Sequence, residues 1–422
     1  MSPPLLLILL FIPSARAQNF TDIQAPHFTP AVSAPSANDC GGDFDPKTLP
    51  LDDGKALAGG SFESKVEGRD FPSVFQAWEP ASNLSRAESL AKHDLVWTGV
   101  GAYGLKGNSR WAGLATSYTG NVAGGGPNTV RLAEIRWYDG HFEDGDDPNK
   151  QYLPKGHPWW LSKGGAMVGA NTTLTSPYFR LDHHNPCFQA QVARQCKAAI
   201  AAGLDGCMFD WWPNADADQV QMLKGVREAI GNSGLIIVNA NGADPESSMP
   251  YINGVFTEGF AASFWPSGQG YAKVPYPKAE AWQYLISDLQ ALESQTQSPH
   301  INAIEGWGGA GDERYLRALT AVVLVYSKAY VLFSRPNKTV PNHDHTHAWD
   351  PFWDKGLGTP TSEATPVPGG AVKREFTGGT VVYNPSQSAV SISFPEPRTS
   401  RATGKAAPLQ QVLAGDGDIF LK

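Results

Sequence analysis

A chain of 422 residues with 33 basic and 41 acidic side chains has a formal charge of −8 and no basic run, which argues against nucleic acid or an anionic membrane surface as partner. The length suffices for one large barrel plus a small appended domain. Thirteen Trp and 44 Gly suggest aromatic platforms on a loop-rich scaffold. The N-terminal stretch MSPPLLLILLFIPSARAQ holds an apolar run from Leu5 to Ile12, then the small-x-small pattern Ala15-Arg16-Ala17. Residues 1–17 are therefore expected to be a signal peptide, since the run falls short of the roughly 20 residues that span a bilayer. The mature chain, one charge more negative without Arg16, is expected to be secreted and soluble, with no membrane partner. Sequons at Asn19, Asn83, Asn171 and Asn337 accord with this. Cys40, Cys187, Cys196 and Cys207 permit two disulfides in any of three pairings. A helix over 188–203 would disfavour a Cys187–Cys196 bond, because nine helical residues span about 13 Å.

Residues 18–70, rich in Pro, Ala, Ser, Gly and Asp without periodicity, read as an irregular leader. Apolar strand-like runs then recur at 93–99, 129–139, 177–182, 206–210, 234–240, 253–258, 300–306 and 329–334. Helical patterns lie between several of them, at 188–203, 217–234, 278–295 and 313–327. Eight strands alternating with helices imply a parallel sheet closed into a (β/α)8 TIM-like barrel over 71–357. The glycine-rich stretch 101–128 leaves an irregular barrel or an open sheet as the alternative. A Pro/Gly/Thr linker at 358–370 leads to short alternating runs over 371–422, a small C-terminal antiparallel β domain.

In such a barrel the reactive groups stand at the C-terminal ends of the strands. Several of the expected strands end in an acid: Asp139, Asp182, Asp210, Glu258 and Glu305. Any one of these acids can be a helix cap or an ion-pair partner, but five on one rim suggest chemistry. Two opposed carboxylates are the minimal equipment for cleaving a glycosidic bond, one giving a proton to the leaving oxygen and the other attacking or activating water. Trp211 and Trp212 follow Asp210 directly, and Trp307 follows Glu305 closely. Flat aromatic faces beside carboxylates suit the apolar faces of sugar rings, although indoles also fill ordinary cores. Asp205, at the other end of the same run as Asp210, is expected to cap or position its strand.

The order LDHHNP (181–186), GLDGCMFDWW (203–212), IIVNANG (236–242), NGVFTEGF (253–260), GLGTP (356–360) and VVYNPS (381–386) resembles the glycosyl-hydrolase-like TIM-barrel proteins. A more distant likeness is to the α-1,4-polygalactosaminidase family. The resemblance covers about residues 93–422 and implies Asp210 and Glu258 as the catalytic pair. It also implies Asn239 and Asn241 as substrate contacts, with Asp182 matching the acid before an Asn–Pro turn. The doubled tryptophans, the His183–His184 pair and the 101–128 segment depart from the family pattern. Glu258 lies among Phe256, Phe260 and Phe264, an apolar setting that favours a protonated carboxyl. Glu258 is accordingly expected as general acid and Asp210 as nucleophile or base, with Glu305 as substitute partner.

The sequence reading is thus a secreted glycosidase, expected to be a monomer that acts on a carbohydrate without cofactor or metal. Two alternatives stay open. One is a non-catalytic carbohydrate-binding or cell-surface protein on the same scaffold. The other is a metal-dependent hydrolase using His343, His345 and His347, which would share a face if NHDHTHAWD were a strand. No GxSxG occurs, and GVGAYG (99–104) has no helix pattern after it.

Overall fold

The computed structural model describes residues 61–78, 91–99, 128–140, 153, 156–171, 178–212, 215–240, 245–260, 276–309, 311–335, 345 and 347–422. Helix α1 (Phe62–Glu67) precedes β1 (Phe75–Ala77), β2 (Leu95–Thr98) and β3 (Val130–Ile135). An excursion of short strands follows: β4 (Asp139–Gly140), β5 (Ser162–Lys163), β6 (Ala166–Met167), β7 (Gly169–Asn171) and β8 (Tyr178–Arg180). The regular alternation then resumes with α2 (Pro186–Ala201), β9 (Gly206–Phe209), α3 (Ala217–Ile230) and β10 (Leu235–Asn239). It continues through β11 (Gly254–Phe260), α4 (Ala279–Gln295), β12 (Ala303–Trp307), α5 (Glu313–Tyr326) and β13 (Tyr330–Ser334).

Eight of these strands form one parallel sheet in the order β1-β2-β3-β9-β10-β11-β12-β13. The sheet closes on itself: Val74 bridges Val331 in parallel, and Val331 N–H donates to the Ser73 carbonyl at 2.9 Å. The expected (β/α)8 barrel with a C-terminal antiparallel domain is therefore the architecture observed. Local chemistry sets the helix starts. Asn185 accepts the Cys187 and Phe188 amides ahead of Pro186, and Asp216 with Gln219 forms a reciprocal capping box on α3. Between β10 and β11 a 3-10 turn, Glu246–Tyr251, replaces an α-helix.

The structure corrects two expectations. The run 177–182 is not a barrel strand: β8 pairs antiparallel with β4 and β7 in a separate three-stranded sheet. The missing eighth strand is β1, whose three buried residues are too few to show a period. Residues 61–70, expected in an irregular leader, carry α1. Its Lys65 is buried and reaches both oxygens of Asp205, at 2.7 Å and 2.8 Å. Asp205 also accepts the Arg131 amide at 2.8 Å, so this acid ties α1, β3 and β9 together at the N-terminal end of the barrel. Cys196 of α2 and Cys207 of β9 form a disulfide. Cys187 is disulfide-bonded as well, and Cys40 lies outside the described residues. Of the sequons, Asn19, Asn83 and Asn337 also lie outside them, and Asn171 closes β7.

The C-terminal sheet comprises β14 (Thr365–Pro366), β15 (Val372–Phe376), β16 (Gly379–Asn384), β17 (Val390–Ser400), β18 (Ala406–Val412) and β19 (Asp416–Leu421), ordered β14-β15-β16-β19-β17-β18. It is fastened to α5. Arg317 meets Asp416 through two hydrogen bonds, 3.0 Å and 2.6 Å. Arg374 donates to the Leu324 and Ser327 carbonyls, which the end of a helix leaves without partners. Gly417 permits the contact, since a Cβ there would stand 2.3 Å from that of Ala321. Among the described residues no helix is long and apolar enough to cross a membrane.

Candidate active site

Alternation along the barrel strands decides what faces inward. Val130, Leu132, Met208, Leu235, Ile237 and Phe256 join Phe75 and Trp97 in one core cluster. Their neighbours Ala133, Ile135, Cys207, Phe209, Ile236 and Val238 pack instead with Val192, Cys196, Met222 and Leu223 of the outer helices. The first set lines the barrel interior. Continued two residues further toward the C-terminal mouth, it gives Glu134, Asp210, Asn239 and Glu258 on consecutive strands. Glu305 on β12 completes this inner polar row. Glu134, Asn239 and Glu305 are buried, whereas Asp210 and Glu258 keep some solvent contact. Those two are the carboxylates presented to the mouth.

Asn239 joins them. Its Nδ2 donates to Asp210 Oδ1 at 2.8 Å and to Glu258 Oε2 at 2.7 Å. Since one nitrogen reaches both, the two acceptor oxygens can be no farther apart than the sum of these lengths. Burial, then the charge of Glu134, pushes the Asp210 carboxyl up to about 6, against the opposing pull of the Asn239 bond and Arg136. Burial pushes Glu258 up to about 7; His345 pulls it down, while Asp210 and Glu305 push it further up. The barrel mouth thus holds two partly protonated carboxyls fixed by a shared donor.

His345 stands behind Glu258. Its Nδ1 lies 3.1 Å and 3.0 Å from the two oxygens of Glu305, and its Nε2 lies 3.6 Å from Glu258 Oε1. Ser334, at the end of β13, donates to Glu305 Oε1 at 2.5 Å. Trp78, one residue past β1, covers His345 with ring centroids 4.6 Å apart. Trp78, Trp211 and His345 have φ of 49°, 53° and 61°, and they are the only non-glycine residues with positive φ among those described. All three stand at this mouth. Bulky side chains rarely adopt that backbone, and such strain is characteristic of functional sites.

The expected aromatic and polar contacts separate into different roles. Trp211 is 52% exposed and stacks on Tyr138, with centroids 5.4 Å apart and planes 8° apart, while the Arg180 guanidinium covers Tyr138 at 3.4 Å. Trp212, expected at the substrate, is instead wholly buried. Its Nε1 donates to Ser248 Oγ at 2.9 Å, and its ring packs on Trp137 and Phe209. The left-handed turn at Trp211 sends the two indoles to opposite sides. Trp307 lies over Gly259, whose φ of +61° and missing Cβ make the room. Glu305 is fully buried and so cannot touch a substrate directly.

Asp182 is not at a barrel-strand end: its Oδ1 accepts the His184 amide at 3.2 Å in the turn before α2. Asp139 likewise belongs to the excursion, where it pairs with Arg136 at 3.3 Å. The acid that β3 delivers to the mouth is Glu134, which the sequence reading missed although it continues the Val130, Leu132 alternation. Asn241 lies outside the described residues.

Of the three histidines expected to share a metal, the two described ones turn to different partners. His347 Nδ1 donates to the His345 carbonyl at 3.0 Å, so its Nε2 is the acceptor that faces His93 Nε2 at 2.9 Å. Burial holds His347 down to about 4. His345 turns to carboxylates instead, each ring nitrogen facing one. His343 lies outside the described residues. Two groups of described residues have their ligand atoms within 4.8 Å of one another, a spacing suited to a cation: Glu258, Glu305 and His345 at the mouth, and His183, His184 and Asp216 near the excursion. There each histidine already meets an acid: His183 meets Asp216 at 2.8 Å, and His184 meets Asp218 at 2.7 Å.

No family model and no curated protein matches the chain. Among solved structures, an α-amylase from Lactobacillus plantarum is similar over 82% of this chain and 98% of its own, at 11% identity and a TM-score of 0.49. A maltogenic α-amylase from Thermotoga neapolitana is similar over 83% and 96%, at 10% identity and 0.46. A debranching enzyme from Nostoc punctiforme is similar over 79% and 87%, at 12% identity and 0.45. The distant likeness to the α-1,4-polygalactosaminidase family gains nothing from these neighbours. At such values the similarity concerns the general chain path, which the strand order already establishes. The chemistry rests on the site itself.

Proposed function

We propose that the protein is a secreted glycoside hydrolase that cleaves a poly- or oligosaccharide through Asp210 and Glu258 with retention at the anomeric carbon. The observation that carries this reading is the Asn239 bridge, 2.8 Å to one carboxylate and 2.7 Å to the other. It keeps the pair within the about 5–5.5 Å of retaining enzymes and short of the roughly 6.5–9.5 Å that leave room for an inverting water. Glu258, the group that holds its proton to higher pH, gives it to the departing glycosidic oxygen. Asp210, ionised above about 6, attacks the anomeric carbon from the other side. Glu258, now a carboxylate, then takes a proton from the water that releases the sugar. These steps ask for no cofactor. Trp211, backed by Tyr138 and Arg180, offers its outer face to a sugar ring beside Asp210. The Cys196–Cys207 bond suits the oxidising compartment expected from the N-terminal segment.

The test is hydrolysis of a panel of polysaccharides and aryl glycosides by wild type, Asp210→Asn and Glu258→Gln, with the first-formed anomer read by proton NMR. Product with retained configuration, lost in both folded variants, supports the proposal. Inverted product would remove Asp210 as nucleophile. Activity surviving both substitutions would remove the pair altogether.

A further inference from the structure

Glu305 is the deepest carboxylate of the inner row, and the chemistry above gives it no step. A buried carboxylate stays ionised only where donors and an opposite charge compensate it. Here the compensation is the Ser334 hydroxyl at 2.5 Å and His345 Nδ1 at 3.0 Å. That pairing requires a proton on Nδ1 and favours a charged imidazolium, whose Nε2 lies 3.6 Å from Glu258 Oε1. The Trp78 ring at 4.6 Å is a further favourable neighbour for a cation. His345 adopts left-handed backbone here, φ 61°.

We propose that His345 is a positioning residue for Glu258: charged through its pairing with Glu305, it aims Nε2–H at Glu258 Oε1 and stabilises the carboxylate formed when Glu258 gives up its proton. The inference rests on the glycosidase reading for its catalytic meaning. Among the described residues, Glu258 from β11 and Glu305 from β12 are charged groups that face the imidazole, and Asp210, just past β9, acts through Glu258. The Phe256 ring lies 6.1 Å away. His347, on the same segment, holds the His345 carbonyl and stays neutral. Asn239 donates to the other Glu258 oxygen, so the carboxyl lies between the two side chains.

Without the cation, Glu258 holds its proton more tightly. His345→Gln should therefore move the alkaline limb of the kcat/KM profile to higher pH and lower kcat about tenfold or more, with KM little changed. The decisive measurement needs no substrate: nitrogen NMR of the histidine-labelled full chain, with His345 assigned through His345→Gln and His300 as control. The expected result is an imidazolium at neutral pH whose titration midpoint falls by roughly one to three pH units in Glu258→Gln and in Glu305→Gln, His300 being unmoved. A neutral His345 imidazole at pH 7, or a midpoint indifferent to Glu258→Gln, would overturn the proposal. So would a divalent metal retained in stoichiometric amount by wild type and lost in His345→Gln. If no glycoside in the panel is cleaved, the glycosidase reading fails while the nitrogen titration still decides the pairing.

Discussion

Replacing Asn239 with leucine removes a donor that both carboxylates share while keeping the volume of the side chain. A hydrogen bond to a charged acceptor contributes about 1.5–3 kcal/mol, and about 1.36 kcal/mol corresponds to one pH unit in a proton equilibrium. The Asn239 bond lowers the proton affinity of both carboxyls. Losing it should carry each limb of the bell-shaped kcat/KM profile upward by about one to two pH units. In wild type the limbs should lie near 6 and 7, the values to which Asp210 and Glu258 are pushed, read as properties of the coupled pair. At pH 6 the variant should then be at least about tenfold slower than wild type, and part of that loss should return at higher pH. The assay is the full profile on the best substrate of the panel, with a circular dichroism melt to verify folding. Limbs that stay in place while only the height of the bell falls would refute the bridging role.

The raised carboxyls also predict how stability follows pH. Asp210 and Glu258 bind protons more tightly folded than unfolded, so their contribution is fully present below the unfolded values near 4 and is lost as pH rises through about 6 and about 7. Glu258→Gln should therefore melt higher than wild type at pH 8, by up to about 2–3 kcal/mol of stability, with the difference closing below about pH 4; equal melting at both pH values would count against a buried, strained acid. Trp211→Ala should raise KM by roughly threefold to tenfold and leave the melt nearly unchanged. Trp212→Ala should cost about 3–5 kcal/mol of stability, because a wholly buried indole with a bonded Nε1 is removed. Comparable effects of the two indole substitutions would contradict the division between platform and core. Lys65→Met leaves Asp205 buried without its counter-ion and should cost about 3–5 kcal/mol, much of it recovered by adding Asp205→Leu.

The alternation that places the barrel strands was visible in the sequence because each run is apolar over four or more residues with turn residues at its ends. Asp210 and Glu258 end such runs, the family resemblance adds Asn239, and all three continue an inward-facing set. Glu134 obeys the same rule, but the strand-like run continues past the end of β3 at Ile135 and so points to Asp139 as the terminal acid instead. Asp182 failed for the opposite reason. YFRL is locally strand-like, and nothing local says that its partners are two antiparallel neighbours of an excursion instead of the barrel. The two indoles were indistinguishable by composition; only the left-handed backbone at Trp211 separates them. His345 was noticed for its alternation with His343 and His347, a pattern that suggests a shared face. Its real partners, Glu258 and Glu305, come from strands far away in sequence.

Two groups of residues in this fold run against the ordinary preferences of a stable barrel, and they coincide in space. One is the row of acids, in which Glu134 raises the proton affinity of Asp210, and Asp210 and Glu305 raise that of Glu258. The other is the trio of bulky residues in left-handed backbone, Trp78, Trp211 and His345. Elsewhere the same chain resolves its charges in the usual way: Asp205 has Lys65, and Asp416 has Arg317. Among the described residues, the buried acid at the N-terminal end of the barrel is thus neutralised by its lysine, whereas the C-terminal mouth gathers four acids under a cover of strained aromatics. Destabilising features concentrated at one end of an otherwise well-compensated scaffold are what a site shaped for chemistry requires. A lectin-like site would gain nothing from carboxyls held half-protonated near neutral pH, since sugar hydroxyls are bound as well by unperturbed acids and amides. That asymmetry favours the catalytic reading over the binding one.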